Sequence, residues 1–186
     1  MAQQQLKGLL LNGGCSSRMG SDKASLSLGS CSLKEHMVML LHSAGIEDVV
    51  VSGQQVKDRY EGQGPLAGIE AVLTAFPSAQ WLVVPIDMPQ LTVSALQQLI
   101  HHGQLHHTCV HFDTSVMPLY VHQGDSCLVK ARACLTSSNH RNWSIRNWLT
   151  QLDCHTLADP NDASLSNINT PQQWQCYLNS LTTNKT

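Results

Sequence analysis

The chain has 186 residues, seven cysteines and a formal net charge of -2 at pH 7. That length fits a single domain over residues 1–186 with a sizeable core, and the near-neutral charge leaves no global basic field to attract nucleic acid. The cysteines (Cys15, Cys31, Cys109, Cys127, Cys134, Cys154, Cys176) are odd in number and scattered, with no C-x-x-C pair, so they read as reduced thiols of a cytosolic protein rather than a disulfide framework. The opening stretch MAQQQLKG is polar and lacks a signal-peptide core, and no apolar run approaches membrane-spanning length. A cytoplasmic protein without membrane or nucleic-acid partners is expected.

Apolar runs alternate with amphipathic segments, which predicts an α/β fold with a mostly parallel central sheet. Lys7–Leu11 reads as the first strand. Leu33–Ala44 has apolar residues at helical spacing and stops at Gly45; Asp48–Val51 is a short valine-rich strand. Leu66–Phe76 is a second helix, ended by Pro77, and Trp81–Ile86 is a continuous apolar run of the kind covered on both faces in a central strand. Thr92–Ile100 reads as a third helix, with Thr92 as N-cap and Gly103 as its stop. His101–His102 and His106–His107, which flank Gly103, then fall in a solvated surface turn rather than a metal site. Cys109–Phe112 and Met117–Val121 follow as strands, Asp125–Leu135 and Trp143–Leu149 as helices. Pro171–Leu178 is a last helix with its proline in the first turn, and residues 181–186 form a polar, frayed tail.

Ligands of an open parallel sheet sit beyond the carboxyl ends of its strands, which places Asn12–Gly14, Ser52–Gly53 and Asp87 on one rim. The stretch LLLNGGCSSRMGSDKA, Leu9 to Ala24, ends a strand in two glycines and continues into a loop bearing Arg18 and Lys23. Glycines admit a phosphate close to backbone N–H donors, and the two cations supply charge where a triphosphate would lie. Neither the Walker spacing nor G-x-G-x-x-G occurs there. Cys15 could be a nucleophile by position, but reads better as a tolerant loop residue.

GQGPLAG, Gly62 to Gly68, offers backbone amides that could read a planar base, or is a tight turn feeding a helix. Asp87, following a buried strand and lying between Pro85 and Pro89, suits Mg2+, which takes hard oxygen ligands, or else starts a turn. In SNINTP, Ser166 to Pro171, Asn167 and Asn169 alternate around Ile168 and share one face of an extended segment, or serve as turn formers beside a Thr170 cap.

In this order the motifs resemble those of the molybdenum cofactor guanylyltransferases, the MobA family, over nearly the whole chain. The family's L-x-G-G-x-S-x-R-M-G-x-D-K signature stands at Leu11 to Lys23, G-P-L-A-G at Gly64 to Gly68, the strand-end aspartate at Asp87, and N-x-N-T-P at Asn167 to Pro171. The resemblance implies a Rossmann-like three-layer nucleotidyltransferase fold. It also implies Mg2+-dependent transfer of GMP from GTP to the terminal phosphate of Mo-molybdopterin, with pyrophosphate released. By the same resemblance Leu11, Asn12, Gly13 and Gly14 line the GTP site through backbone, Arg18 and Lys23 bind the triphosphate, and Ser52, Asp58, Gly64, Pro65 and Leu66 complete the nucleotide site. Asp87 then binds the metal and lies near the GTP, so that Arg18, Lys23 and Asp87 are the catalytic set, and Asn167 and Asn169 face the pterin; molybdoenzyme apoproteins and cofactor-biosynthesis proteins are the expected partners. The family usually has alanine at Asn12, asparagine at Ser52, and a longer stretch between Ser52 and Asp58. Rival readings are a relative that uses another nucleotide or acceptor, and a GTP-binding homologue that has lost catalysis.

Overall fold

The computed structural model describes residues 5–12, 23–122, 125–160 and 164–183. In chain order the elements are β1 (Leu6–Leu11), α1 (Leu33–Ser43), β2 (Asp48–Val51), α2 (Pro65–Ala75), β3 (Gln80–Pro85), α3 (Val93–His106), β4 (Cys109–Phe112), β5 (Ser115–Val121), α4 (Asp125–Leu135), α5 (Ile145–Leu149), β6 (Cys154–Leu157) and α6 (Pro171–Thr183). The strands form one sheet in the order β2-β1-β3-β5-β4-β6. β1 runs parallel to β2 and β3, and β4 parallel to β6, while β5 is antiparallel to both of its neighbours. The expected mostly parallel α/β sheet is present.

The central strands are apolar on both faces because helices cover both: α1 and α3 pack on one side, α2 and α4 on the other. Leu9, Leu10, Leu82, Val83, Val84, Leu119 and Tyr120 are fully buried between those layers. Local chemistry sets the helix starts. Ser32 and Glu35 form a reciprocal capping box before α1, Thr92 caps α3 through the Ala95 N–H, and Thr170 Oγ1 accepts from the Gln173 N–H at the head of α6.

Four expectations are corrected, and one strand is added. Gly103 does not stop α3, which runs on to His106 and ends at His107 in the left-handed conformation (φ 53°). A Cβ at Gly103 would stand 2.0 Å from Tyr120 Cδ1, so this glycine lets α3 lie against β5 and is a packing residue. The histidines around it therefore sit on a helix, not in a turn. Trp143–Leu149 divides into a 3-10 turn at His140–Trp143 and the short α5, separated by Ser144, which caps α5. The edge strand β6 has no counterpart in the sequence reading. The last helix extends through Thr183, well into the tail expected to fray.

Candidate active site

The parallel strands β1, β2 and β3 end together, so Asn12, Ser52 and Asp87 share the rim anticipated for them. The Ser52 N–H donates to Leu10 O, and the Ile86 N–H donates to Leu11 O. Between β2 and α2 the chain makes only a tight turn closed by a Ser52–Val56 bridge, with no helix or named strand among residues 52–64. The connecting segment between Ser52 and Asp58 is thus as short as the residue count implied.

The two ends of the G-P-L-A-G segment do different work. Gly64 takes φ 75°, a left-handed conformation that glycine tolerates, and hands the chain to Pro65 at the first turn of α2. Gly68 is a close-approach residue, since a Cβ there would stand 2.7 Å from Ser52 Oγ and 3.2 Å from Leu11 Cδ2. That approach holds the head of α2 over the ends of β1 and β2.

Lys23 opens a 3-10 turn and reaches across the rim. Its ammonium donates to Asn169 Oδ1 at 2.8 Å and to Ile168 O at 3.0 Å, and lies 3.5 Å from Asp87 Oδ2. The Ile168 N–H donates to Asp87 O at 2.7 Å, which ties the strand-end aspartate to the late asparagine segment. Residues separated by 145 positions thereby form one polar cluster. Asn169 touches the cluster directly. Asn167 instead lines a neighbouring cavity of about 440 Å3 together with Met88, Thr114, Ser115, Asp159 and Ser166. Thr114 Oγ1 donates to Asp159 Oδ2 on that wall. The Thr170 cap is also present, so the segment both starts a helix and presents its asparagines to the site.

Among the described residues, three buried acceptors in the segments that follow β1 and β2 have no hydrogen-bond donor: Asn12 Oδ1, Asp58 Oδ1 and Gln63 Oε1. Burial raises the Asp58 carboxyl above the ordinary aspartate range, and the nearby Glu61 charge raises it further. Buried acceptors without donors are costly, and beside a ligand rim such oxygens can take donors of a bound molecule. Gln63 and the cavity residues Thr114, Ser115, Asp159 and Ser166 were not anticipated. For Gln63 the available signal was its place immediately before Gly64. For the others, no short spacing foreshadows a wall built from the β4–β5 turn and the segment after β6.

Gly13, Gly14, Cys15 and Arg18 lie outside the described residues. Among the described residues no group of three or more metal-ligating side chains is gathered. Mg2+ does not need one: it commonly takes one or two carboxylates and completes its shell with water and substrate phosphates. The Asp87 carboxylate, partly exposed on this rim, has the hard-oxygen chemistry for that.

The MobA-like NTP transferase domain model matches residues 8–155, from β1 into β6. The chain belongs to this family. It is 36% identical over 180 residues to the molybdenum cofactor guanylyltransferase of Xanthomonas euvesicatoria pv. vesicatoria, covering 92% of this chain and 94% of that one. Its fold superposes on molybdopterin-guanine dinucleotide biosynthesis protein A from Archaeoglobus fulgidus with a TM-score of 0.76 at 21% identity, over 95% and 99% of the two chains. It also superposes on 2-C-methyl-D-erythritol 4-phosphate cytidylyltransferase from Thermus thermophilus, with a TM-score of 0.62 at 12% identity over 94% and 98%. MobA-like transferases thus share their backbone with an enzyme named for a different base and acceptor. A shared backbone therefore does not by itself fix the base or the acceptor.

Proposed function

We propose that this chain is a molybdenum cofactor guanylyltransferase, joining GMP from GTP to the terminal phosphate of Mo-molybdopterin. The observation that carries the reading is the near full-length match to a relative of that name. The rim supports it. The unpartnered oxygens of Asp58, Gln63 and Asn12 are acceptors, and the Watson–Crick edge of guanine offers N1–H and N2–H donors. Cytosine has no ring N–H on that edge, so it would leave more of these acceptors unsatisfied. Leu11, Asn12, Ser52, Gly64, Pro65 and Leu66 then border the nucleoside, and Gly13 and Gly14 follow Asn12 in the sequence.

The acceptor belongs on the opposite flank, where Asn167, Ser166, Asp159 and Thr114 give the cavity a polar wall suited to the amine and amide edge of a pterin. Lys23 and Asp87 stand between the two flanks. In the transfer, a phosphate oxygen of molybdopterin forms a bond to the α-phosphorus of GTP, and the bond from that phosphorus to the β-phosphate oxygen breaks. The nucleophile is already an anion near neutral pH, so no general base is required. Catalysis is alignment and charge neutralisation. Lys23, released from Asn169 and Ile168, compensates the triphosphate charge together with Arg18. Asn169, once Lys23 turns to phosphate, is free to hydrogen-bond the acceptor. Asp87 is the residue to hold Mg2+, which when bound supplies positive charge at the phosphate oxygens.

The described cysteines are free thiols, which suits a reducing cytosol. No helix among the described residues is long and apolar enough to cross a membrane.

The test is nucleotide transfer with purified protein, Mg2+, Mo-molybdopterin and either GTP or CTP, with dinucleotide and pyrophosphate quantified. Product with GTP and not with CTP is expected. Product with CTP alone would overturn the base assignment while keeping the transfer chemistry. GTP binding without product would indicate a homologue that has lost catalysis.

A further inference from the structure

A cluster of three histidines stands apart from the rim, where α3 meets the edge strand β6. His102 and His106 are four residues apart on α3, one turn above the other on the same face. His155 lies on β6, which pairs in parallel with β4 and places His155 beside Val110. Alternation along β6 sends Cys154 towards the thiols of Cys109 and Cys127 on one face of the sheet, and His155 towards α3 on the other. The ring centres are 4.6 Å apart for His102–His106, 5.2 Å for His106–His155 and 6.1 Å for His102–His155.

Those separations are informative. A divalent transition ion about 2 Å from three imidazole nitrogens, at near-tetrahedral angles, puts the ring centres about 5 Å apart. Two of the three separations match that spacing, and the third, His102–His155 at 6.1 Å, exceeds it by about 1 Å. Two histidines four residues apart on one helix face are a known chelating pair, and His155 adds a third ligand from a separate element. As the rings stand, no three such side chains among the described residues are grouped to hold an ion. Converging the nitrogens takes rotation about terminal ring torsions, which are broad, in side chains that are exposed or half-buried. Burial, followed by the charges of His106, His155 and His101, holds the His102 imidazole below the ordinary histidine range.

We propose that His102, His106 and His155 form a surface site for a borderline divalent transition cation such as Zn2+, with water completing its coordination. The site goes beyond the transfer reaction and does not depend on it. Its physical effect is to tie the four-residue edge strand β6 to α3, because an ion bound only in the folded chain stabilises that chain.

The experiment is titration of the full chain with Zn2+ against a chromogenic chelator, paired with thermal unfolding and with the visible spectrum of the Co2+ form. One ion per chain is expected, with a rise in Tm and a Co2+ spectrum free of thiolate charge-transfer bands. His102→Ala, His106→Ala and His155→Ala should each weaken binding at least about tenfold, since each removes one of three ligands. His140→Ala, on a histidine that stacks on Trp143 instead, should leave it unchanged. Binding that survives His155→Ala in a variant that unfolds at the metal-free wild-type temperature overturns the proposal. Thiolate bands in the Co2+ form also overturn it, by assigning the ion to the cysteines. His155→Ala should retain guanylyl transfer, so loss of the metal site and loss of the proposed activity are read separately.

Discussion

Two ionic clusters in this molecule differ in how far their charges are satisfied. Glu70 on α2 is fully buried, and one carboxylate oxygen takes Arg132 at 2.8 Å, Arg59 at 3.2 Å and the Thr74 hydroxyl at 2.8 Å. Lys23 on the rim is held by a carbonyl and an amide, with Asp87 no closer than 3.5 Å. The first cluster is a joint that fastens α2 to α4 and to the loop carrying Asp58 through Glu70 Oε1, while Glu70 Oε2 has no hydrogen-bond partner among the described residues. The second is an open one, in which a cation rests on neutral acceptors that a phosphate can displace. Charge is locked where the fold needs a fixed frame and left exchangeable where a ligand must enter.

The contrast predicts opposite phenotypes. Asp87→Ala should lower guanylyl transfer about a thousandfold, roughly 4 kcal/mol of transition-state stabilisation, because it removes the carboxylate proposed to hold the metal. Its Tm should stay within a few degrees of wild type, since Asp87 is only loosely paired. Steady-state kinetics beside calorimetry checks both halves, and retained turnover would remove Asp87 from the site. Glu70→Ala should do the reverse. It leaves two arginines without their carboxylate and a void in α2, and should cost about 3 kcal/mol in urea unfolding. Transfer measured well below the unfolding temperature should fall by less than tenfold, mostly through KM for GTP as the Arg59 loop loosens. An unchanged urea midpoint would show that the buried cluster is not a structural joint. Lys23→Ala should lower the transfer rate about a hundredfold with stability nearly unaltered, because its hydrogen-bond partners are neutral groups that water can replace and its pairing with Asp87, at 3.5 Å, is loose. Unchanged kinetics would exclude Lys23 from the phosphate path.

The rim was legible because it follows from strand ends. Apolar runs locate β1, β2 and β3, and in a parallel set their carboxyl ends must coincide, so Asn12, Ser52 and Asp87 fall together before any coordinates are known. Glu70 was not legible. A glutamate within a helix reads as a solvated position, and only its place inside the apolar run LAGIEAVL hinted at burial. Its partners, Arg59 and Arg132, are 11 and 62 residues away, a pairing that no local pattern encodes. β6 escaped notice for a different reason: CHTL has half-exposed positions and no apolar alternation, and it is a strand because β4 offers it an edge. Gly103 misled because glycine after an amphipathic run usually ends a helix, whereas here the missing side chain makes room for Tyr120.

The finest test of the open side concerns Asp58, whose carboxyl is raised by burial and then by Glu61. A raised folded value means that the folded chain binds this proton more tightly than the unfolded one. The ionised group therefore costs stability above that value, and the cost is relieved as pH falls through it. Guanine donors would offset the cost by pairing with the orphaned oxygen, so GTP should favour the ionised form and release protons on binding near the raised value. KM for GTP should consequently climb on acidification at a pH above the usual aspartate range. Glu61→Gln should move that midpoint downward by removing the second cause. Asp58→Asn should flatten the profile and raise KM at neutral pH by a few-fold, on the order of the 1 kcal/mol of one hydrogen bond. A pH profile of kcat/KM for the three proteins decides it: an unchanged acidic limb in Asp58→Asn would remove this carboxylate from base recognition and leave Gln63 and Asn12 as the remaining acceptors for guanine.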